Sequence, residues 1–483
     1  MIDASSALNA VRRRGDLLRA AEETVDVLVV GGGITGAGVA LDAASRGLSV
    51  ALIEAEDLAF GTSRFSSKLV HGGLRYLATG DVATARESAQ ERHLLMTVIA
   101  PHLIHPLGQL LPFSRGVTPR QRAAGAMGMA MGDLLRVRAH TPRTVLPAPT
   151  PVSRRTALRL APALDAAGLR GGMLSYDGQL VDDARLVVTV ARTAATYGAR
   201  ILTRVRAIRL RGDGATVEDA LTGERFEIDA RAVINATGVW AGSLDEAIRV
   251  RPSRGTHIVL DADELGGPTA ALTIPHEGSI SRYVFALPQA YGRVIVGLTD
   301  EDAPGTVPRV AQPTEAEIDF LLANLNRVVA APVRRDQVRG AFAGLRPLVD
   351  SSSAATSDVS RRHLVAMSDA GYVTVLGGKL TTYRRMAEDA VDVAVRTRGL
   401  PAIQSCTASL RLVDRVVPRA AELLDDRAGL SDSEVEYAVR VEGAMTAADV
   451  LDRRTRIGLV DADRGRCRFA VEELVARTLA DLT

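Results

Sequence analysis

The segment that most constrains the fold lies near the start of the chain, where residues 25–56 read VDVLVVGGGITGAGVALDAASRGLSVALIEAE. The segment begins with a short β-branched run and a glycine turn. These are followed by a helical pattern that ends at Gly47 and by a second apolar run. This order predicts a βαβ unit whose two parallel strands are buried. Gly31, Gly33 and Gly36 have the spacing G-x-G-x-x-G between the first strand and the helix. The segment therefore predicts an α/β chain with a Rossmann-like dinucleotide-binding domain.

The glycine turn and the end of the second strand suit a dinucleotide physically. Glycines permit a tight turn, bring backbone N–H groups close to a pyrophosphate and let the helix pack against the strand, and the helix N-terminus adds a positive dipole. Glu54 ends the second strand, where a carboxylate can accept hydrogen bonds from both hydroxyls of an adenosine ribose. NAD and FAD share this unit, so a second feature must distinguish them.

The segment AVINATG, residues 232–238, provides that feature. It reads as a buried strand that ends in a turn of small residues. It resembles the second dinucleotide-contacting strand of FAD proteins of the glutathione reductase and D-amino acid oxidase type, in which such a turn passes beneath the cofactor. The resemblance implies FAD as the cofactor, with Ala236 and Gly238 beside it. An ordinary buried strand with a glycine stop would explain the same pattern.

Length, charge and cysteine content exclude several classes of protein. A chain of 483 residues is too long for one ordinary core and predicts two or three domains. Its 59 Lys and Arg nearly balance 57 Asp and Glu, so nucleic acid is not expected as a partner. Cys406 and Cys467 give neither a disulfide framework nor a zinc-ligand spacing. No segment has the apolar length of a signal peptide or a spanning helix, which predicts a cytoplasmic protein and leaves surface attachment to a membrane open.

The stretch TSRFSSKLVHGGLRYL, residues 62–77, is unusually rich in hydrogen-bond donors. It begins shortly after Glu54, and so near the carboxyl ends of the strands, where open α/β sheets bind ligands. We therefore expect its hydroxyls and backbone amides to contact the cofactor. Phe65, among the serines, has no role in this interpretation.

This stretch and GGKLTTYRRMAE, residues 377–388, resemble the signature of the FAD-dependent glycerol-3-phosphate dehydrogenases. Between them YDGQLVDDARLVVTVAR, RGTHIVL, RYVFALP, VGLTDED and AGLRPL follow in the order of that family. The resemblance covers residues 25–395 and resumes at EVEYAVRVEGAMTAADVLDRRTRIGL. The chain departs from the family in a shortened segment before the C-terminal helices, in Gln289 and Ala290 where an aromatic is frequent, and in Leu298 where a second hydroxyl is usual.

The resemblance implies three domains. These are a discontinuous FAD-binding domain of residues 20–105, 170–250 and 340–398, a β-sheet substrate domain of residues 106–169 and 251–339, and a short C-terminal helical domain of residues 399–483. It also implies oxidation of sn-glycerol 3-phosphate to dihydroxyacetone phosphate by hydride transfer to FAD N5, with electrons passed to a membrane quinone. Such a reaction needs a base for the hydroxyl proton and cations for the phosphate.

Arginine suits the phosphate because its planar fork gives paired, charge-assisted hydrogen bonds. The family positions fall on Arg75, which also belongs to the predicted catalytic set, on Arg346 and on Arg361, whose neighbour Arg362 could take its place. Tyr76 and Thr382 are further predicted donors to the substrate.

His257 is the predicted base because a neutral imidazole accepts a proton near neutral pH, although a structural histidine within the sheet would fit the same position. Lys379 is predicted to stabilise negative charge at N1 and O2 of the reduced flavin, helped by the amides of Leu380 and Thr381. The predicted cofactor contacts are Gly31, Gly33, Gly36, Glu54, Thr62, Ser63, Ser67, Lys68, His71, Gly73, Ala236, Gly238, Gly377, Gly378, Lys379, Leu380 and Thr381.

Residues 111–140, LPFSRGVTPRQRAAGAMGMAMGDLLRVRAH, interleave arginines with an apolar Met and Ala run that has no clean period. Such a stretch can lie on an anionic membrane surface, or it can form an internal helix with a solvated rim.

Three functions besides the quinone-linked dehydrogenase are compatible with the sequence. They are an oxidase that uses O₂, an amine or amino-acid oxidase on the same fold, and a flavin-binding protein without catalysis. The last would have lost the Arg, His and Lys set, which is present here. The sequence also leaves open whether the chain forms a homodimer.

Overall fold

The computed structural model describes residues 4–73, 80–245, 247–349, 363–418, 422–425 and 427–482. Its α-helices are α1 (Ala10–Glu22), α2 (Ile34–Ser45), α3 (Val82–Leu94), α4 (Pro119–Arg138), α5 (Arg154–Leu160), α6 (Asp183–Thr196), α7 (Ala241–Leu244), α8 (Glu315–Asn326), α9 (Tyr383–Arg398), α10 (Asp432–Arg440), α11 (Ala447–Asp449) and α12 (Asp461–Ala480). Its strands are β1 (Val25–Val30), β2 (Val50–Glu54), β3 (Leu69–Val70), β4 (Ile104–Pro112), β5 (Thr150–Val152), β6 (Gly172–Leu180), β7 (Arg200–Thr203), β8 (Val205–Arg211), β9 (Gly214–Asp219), β10 (Arg225–Asn235), β11 (Val250–Asp261), β12 (Ala271–Pro275), β13 (Tyr283–Gln289), β14 (Arg293–Gly297), β15 (Glu301–Asp302), β16 (Gly340–Val349), β17 (Leu364–Met367), β18 (Val373–Leu376), β19 (Leu423–Asp425) and β20 (Leu430–Ser431).

The first sheet confirms the predicted βαβ unit and places it centrally. Its order is β17-β18-β10-β1-β2-β7, and β1 pairs in parallel with both β2 and β10. The side chains of β1 are almost wholly buried because helices α2, α6 and α9 share a core with one face of the sheet and α1 contributes to the core on the other. This sheet therefore carries the predicted dinucleotide turn at the carboxyl end of β1.

The second sheet has the order β15-β11-β14-β13-β12-β4-β6-β3, with β16 also paired to β11 and β5 to β6. This sheet contains strands from both the predicted FAD-binding domain and the predicted substrate domain. The residues of β3, β6 and β16 are predicted in the FAD-binding domain, but these strands pair within the second sheet. Strand pairing joins residues that are distant in sequence, so a strand's own pattern shows that it is a strand without showing its partner.

The C-terminal helices form a core of their own with the β19–β20 hairpin. Ser431 caps α10 and Thr446 caps α11, and each makes a capping box with an acidic residue three positions later. The π-helical turn Val450–Arg454 follows α11, and its Arg453 pairs with Asp57, which comes shortly after β2 of the first sheet.

Helix α4 lies in the stretch that shows no clean period in the sequence. Thr118 and Gln121 close a capping box at its N-terminus. Its two sides are both apolar: Met129 and Leu135 are buried, whereas Met127 and Leu134 are exposed. Two apolar faces blur the helical period, which explains why the pattern does not reveal this helix. Within the described parts of the chain, no helix combines the length and apolar character needed to cross a bilayer.

Candidate active site

A cavity of about 1180 Å³ is lined by residues of both sheets. From the first sheet come the glycine turn after β1, Glu54 and the turn after β10; from the second come His257, Arg346 and neighbouring strand residues. This volume exceeds the roughly 300–1,000 Å³ of common small-molecule sites. The cavity is therefore large enough for a dinucleotide together with a small substrate.

The glycine turn has the geometry that the sequence spacing predicts. Gly31 has a φ of +110°, and a Cβ at this position would lie 2.7 Å from the carbonyl oxygen of Ala236. A Cβ on Gly36 would lie 1.8 Å from the carbonyl oxygen of Gly31. Gly36 does not line the cavity, so its place among the predicted cofactor contacts is corrected to helix–strand packing. At the head of α2, the Ile34 amide donates to Ser63 Oγ at 3.0 Å.

Glu54 is positioned by two backbone amides. Its Oε2 accepts from the Gly32 amide at 2.6 Å and its Oε1 accepts from the Glu56 amide at 2.9 Å. Burial raises the pKa of the Glu54 carboxyl to about 6, against the opposing effect of these two hydrogen bonds. Ribose hydroxyls that donate to this carboxylate would favour its ionised form, so the residue suits the adenosine end of FAD.

The donor-rich segment supplies Thr62, Ser63, Ser66, Ser67 and His71 to the cavity wall. All of these except Ser66 are among the predicted cofactor contacts. Phe65, which has no role in the sequence interpretation, also lines the cavity. Its ring lies 6.0 Å from the ring of Phe342 and beneath the guanidinium of Arg64 at 4.4 Å. It therefore packs the segment against the second sheet.

Three other predicted ligand contacts are not among the residues that line the cavity. Lys68 is buried, and its Nζ donates to Asp183 Oδ2 at 2.6 Å and to the carbonyl of Arg64 at 2.5 Å. A buried ammonium requires such partners. Gly73 donates its amide to His71 Nδ1 at 3.2 Å. Thr382 is buried and donates its hydroxyl to the carbonyl of Lys379 at 3.3 Å.

His257 lies on β11, with its ring stacked on Phe342 at 4.8 Å and its Nε2 2.8 Å from Ser67 Oγ. Among the described residues its Nδ1 has no hydrogen-bond partner. Burial, together with the positive charges of Lys68 and Arg346, lowers the pKa of the imidazole to about 3. The ring is therefore neutral near pH 7 and able to accept a proton.

Arg346 lies on β16 and lines the same cavity. Its Nη1 is 3.2 Å from Asp300 Oδ1 and 3.2 Å from Ser253 Oγ, and its Nη2 donates to the Thr299 carbonyl at 3.3 Å. These contacts fix the plane of the guanidinium. The other predicted phosphate ligands, Arg75, Tyr76 and Arg361, lie outside the described residues.

The segment from Gly377 to Thr381 lines the cavity just before α9. Gly377 and Gly378 have positive φ angles of 75° and 68°, which glycine adopts without strain. Lys379 Nζ donates to Ser88 Oγ of α3 at 2.5 Å. The lysine thus brings a positive charge to the wall of the cavity.

Several cavity residues do not emerge from the sequence interpretation. Trp240 lies two residues after the AVINATG segment, so its position beside a turn that is predicted to contact the cofactor is the signal that could have identified it. Gln109 and Asp177 come from β4 and β6, whose place in the second sheet only the fold reveals. Phe60, Asp300 and Arg309 are further examples.

The glycine turn, Glu54 and the cavity together define a FAD-dependent oxidoreductase. A family model described as FAD dependent oxidoreductase matches residues 26–384, and one described as the C-terminal domain of alpha-glycerophosphate oxidase matches residues 408–482. The chain is 48% identical to glycerol-3-phosphate dehydrogenase 1 of Mycobacterium tuberculosis, over 98% of this chain and 99% of that protein. The chain belongs to the glycerol-3-phosphate dehydrogenase family.

Solved structures agree with this assignment. The glycerol-3-phosphate dehydrogenase of Bacillus halodurans, complexed with FAD, has a TM-score of 0.71 at 25% identity and covers 98% of this chain and 97% of its own. The L-alpha-glycerophosphate oxidase of Mycoplasma pneumoniae, with FAD bound, has a TM-score of 0.60 at 18% identity, with 81% of this chain and 100% of its own covered. The second similarity shows the fold alone.

Proposed function

We propose that this protein oxidises sn-glycerol 3-phosphate to dihydroxyacetone phosphate, with hydride transfer to N5 of FAD and onward transfer of the electrons to a membrane quinone. The observation that carries the proposal is that His257, Arg346 and Lys379 line one cavity with the dinucleotide turn. These side chains offer a proton acceptor, a phosphate ligand and a cation for the reduced cofactor.

The residues of the first sheet and of the segment before α9 hold the cofactor. FAD, when bound, supplies the two-electron acceptor for the substrate's C–H bond. The turn at Gly31 leaves room for the pyrophosphate, Glu54 accepts from the ribose, and Ser63 lies at the N-terminus of α2. Lys379 and the amides of Leu380 and Thr381 favour negative charge at the pyrimidine end of the flavin.

His257 takes the hydroxyl proton, and Ser67 fixes the orientation of its ring. A neutral imidazole is ready to accept a proton, although the low pKa makes the protonated ring unfavourable in the free protein. Arg346 contributes to that low pKa. A dianionic phosphate bound to Arg346 offsets its positive charge, so substrate binding raises the pKa of His257 when proton transfer is required.

Arg346 binds the phosphate, with Arg75, Tyr76 and Arg361 proposed as further ligands. Asp300 and Ser253 hold the guanidinium in place before the substrate arrives. Arginine on a rigid strand is suited to this task because its donors are already arranged in a plane. Removal of the phosphate from the substrate should therefore weaken binding without altering the reacting alcohol.

The test of this function begins with the flavin absorption of the purified protein near 450 nm. Anaerobic addition of sn-glycerol 3-phosphate should bleach this band, whereas glycerol at the same concentration should bleach it at least ~100-fold more slowly, because the charged hydrogen bonds to phosphate are lost. A full flavin spectrum that the phosphorylated substrate does not bleach would contradict the substrate while leaving the cofactor intact.

The same reduced protein distinguishes the electron acceptor. An oxidase that makes peroxide from O₂ is the second candidate, and the oxidase description of the family model over residues 408–482 favours it. We expect fast reoxidation by a quinone analogue and slow reoxidation by air-saturated buffer. The opposite order of rates would assign the protein as an oxidase.

The HGGLRY and GGKLTTYR segments disfavour an amine or amino-acid oxidase.

An exposed apolar row on α4 supports attachment of this protein to the inner face of the cytoplasmic membrane. Met127, Met131 and Leu134 follow one another at helical spacing and are 64%, 41% and 52% exposed. Met127 and Met131 also line the cavity, and Arg120 and Arg138 lie at the two ends of the helix. An apolar row with flanking arginines suits an anionic bilayer surface, and its place beside the cavity gives a quinone a route to the cofactor.

A vesicle experiment tests this attachment. The wild-type protein should sediment with anionic vesicles at low salt and less at high salt. The double variant Met127→Ser, Leu134→Ser should bind at least ~10-fold more weakly, because two apolar side chains no longer enter the interface. Phe469→Ser is the matched control, because Phe469 is apolar and 77% exposed but belongs to α12 rather than to α4. No sedimentation of the wild-type protein at low salt would contradict the membrane proposal.

A further inference from the structure

A buried carboxylate joins the segment after Glu54 to the C-terminal helical domain. Asp57 Oδ2 accepts from Arg453 Nε at 2.6 Å and from Arg454 Nη1 at 2.9 Å, and its Oδ1 accepts from Arg454 Nη2 at 2.9 Å. The side chains of all three residues are at most 3% exposed. Buried charges are stable only when they are paired, so these three groups form a single unit.

The position of Asp57 gives this unit a link to the cofactor. Asp57 lies between Glu54 and the run of residues 60–67, most of which line the cavity; we call residues 55–67 the cofactor loop. Within it, the Ala59 amide donates to the Gly32 carbonyl at 3.0 Å, and the Phe60 amide donates to the Asp57 carbonyl at 3.1 Å. Asp57 therefore fixes the cofactor loop just after Glu54 and before the residues with hydroxyl groups begin.

Phe60 and Arg64 make a second connection between the loop and the C-terminal domain. The Phe60 ring, which lines the cavity, lies 5.6 Å from the guanidinium carbon of Arg453 and 5.2 Å from that of Arg64. Arg64 Nε donates to the Phe60 carbonyl at 2.9 Å, and its Nη1 lies 3.5 Å from Asp452. The loop thus contacts the π-helical turn 450–454 through an aromatic ring as well as through charges.

The C-terminal side of this contact is itself fixed. Arg454 Nη2 donates to the Glu442 carbonyl at 2.8 Å, and the Glu442 carboxylate pairs with Arg185 of α6 at 2.6 Å. Although burial opposes ionisation of Asp57, Arg454 and Arg453 lower the pKa of this carboxyl to about 2. The carboxylate therefore stays charged at any pH at which the protein works.

We propose that the C-terminal helical domain holds the cofactor loop in the conformation that binds FAD, with Asp57, Arg453 and Arg454 as positioning residues. None of these three lines the cavity, so they act on the cofactor through the loop. Without the contacts of Asp57 with Arg453 and Arg454, the cofactor loop would populate other conformations. The apparent affinity for FAD would then fall in proportion to the fraction of molecules whose loop can still bind FAD.

The test measures FAD affinity rather than turnover. Asp57→Asn keeps the shape of the side chain and removes its charge. In titrations of deflavinated full-length protein followed by flavin fluorescence, the variant should show a Kd for FAD at least ~10-fold above wild type, at a temperature where circular dichroism shows the native spectrum. Asp452→Asn weakens the contact with Arg64 together with the ion pairs that Asp452 makes with Arg464 and Arg453. This variant should raise the Kd by about threefold.

Asp463→Asn is the matched control. Asp463 of α12 pairs with Arg293 of β14, so its loss weakens another buried contact of the C-terminal domain, away from the cofactor loop. This variant should have a lower Tm and a Kd for FAD within about twofold of wild type.

Wild-type FAD affinity in both Asp57→Asn and Asp452→Asn would overturn the proposal and would leave Asp57, Arg453 and Arg454 with a purely structural role. If Asp57→Asn does not fold, the Kd of Asp452→Asn decides between the two outcomes. Because no substrate is used, the result is independent of the proposed reaction.

Discussion

Replacement of His257 by alanine is expected to slow the anaerobic reduction of the bound flavin by sn-glycerol 3-phosphate by about 10²–10⁴-fold, the usual contribution of a positioned general base. The flavin spectrum and the KM should change little, because the imidazole contacts Ser67 and Phe342 and does not contribute a charge to phosphate binding. Stopped-flow absorbance near 450 nm gives the rate directly.

His276→Ala is the matched control for this variant. His276 also lines the cavity, but its ring packs against Phe320 at 5.1 Å. Its reduction rate should stay within about threefold of wild type, the scale of a surface or packing change without a chemical role. Reduction of His257→Ala at the wild-type rate would remove His257 as the base.

The pH dependence of the wild-type rate provides a further check on His257. An imidazole with an ordinary pKa would lose its basic form as the pH fell through about 6.5. Burial, with Lys68 and Arg346 nearby, lowers the pKa of His257 to about 3, so its basic form persists well below that pH. At saturating substrate the bound phosphate offsets the charge of Arg346 but not the burial, which is the larger cause of the low pKa. The acid limb of the reduction rate should therefore still lie below pH 6.

Arg346→Ala is expected to raise the KM for sn-glycerol 3-phosphate by about 100-fold or more, since hydrogen bonds to a charged group contribute roughly 1.5–3 kcal/mol each. The flavin absorption should be unchanged, and the slow reaction with glycerol should be affected far less. Steady-state kinetics with sn-glycerol 3-phosphate and with glycerol separate the effect on phosphate binding from any effect on oxidation of the alcohol, which both substrates undergo.

Arg339→Ala provides the comparison for Arg346→Ala. Arg339 immediately precedes β16, is 43% exposed and pairs with Asp261 outside the cavity. Its removal should leave the KM within about twofold of wild type, as for most surface ion pairs. Loss of FAD from Arg346→Ala with retained substrate affinity would show that the phosphate assignment is wrong.

Local patterns in the sequence predict much of the cofactor site. The βαβ unit, the glycine turn and the position of Glu54 depend on residues that are neighbours in sequence, so their spacing determines their geometry. The caps at Ser431 and Thr446 are likewise local. These are the features for which sequence and structure agree closely.

The remaining features depend on contacts between distant parts of the chain. The sequence places Lys68 among cofactor ligands, but its burial against Asp183 depends on a helix more than a hundred residues away. Phe65 acquires a role only because β16 brings Phe342 beside it. The pairing of β6 and β16 and the two apolar faces of α4 are also invisible to a local pattern. In each case the role of the residue or strand depends on its burial or on its pairing partner, and not on the composition of its own segment.

Trp240 is the single tryptophan of the chain and lines the cavity in which we propose that FAD binds. Indole emission overlaps flavin absorption, so energy transfer from this residue to a nearby flavin quenches its fluorescence without any competing signal from other tryptophans. The protein therefore carries an intrinsic optical reporter at its own cofactor site, and loading of the apoprotein can be followed in real time without a label.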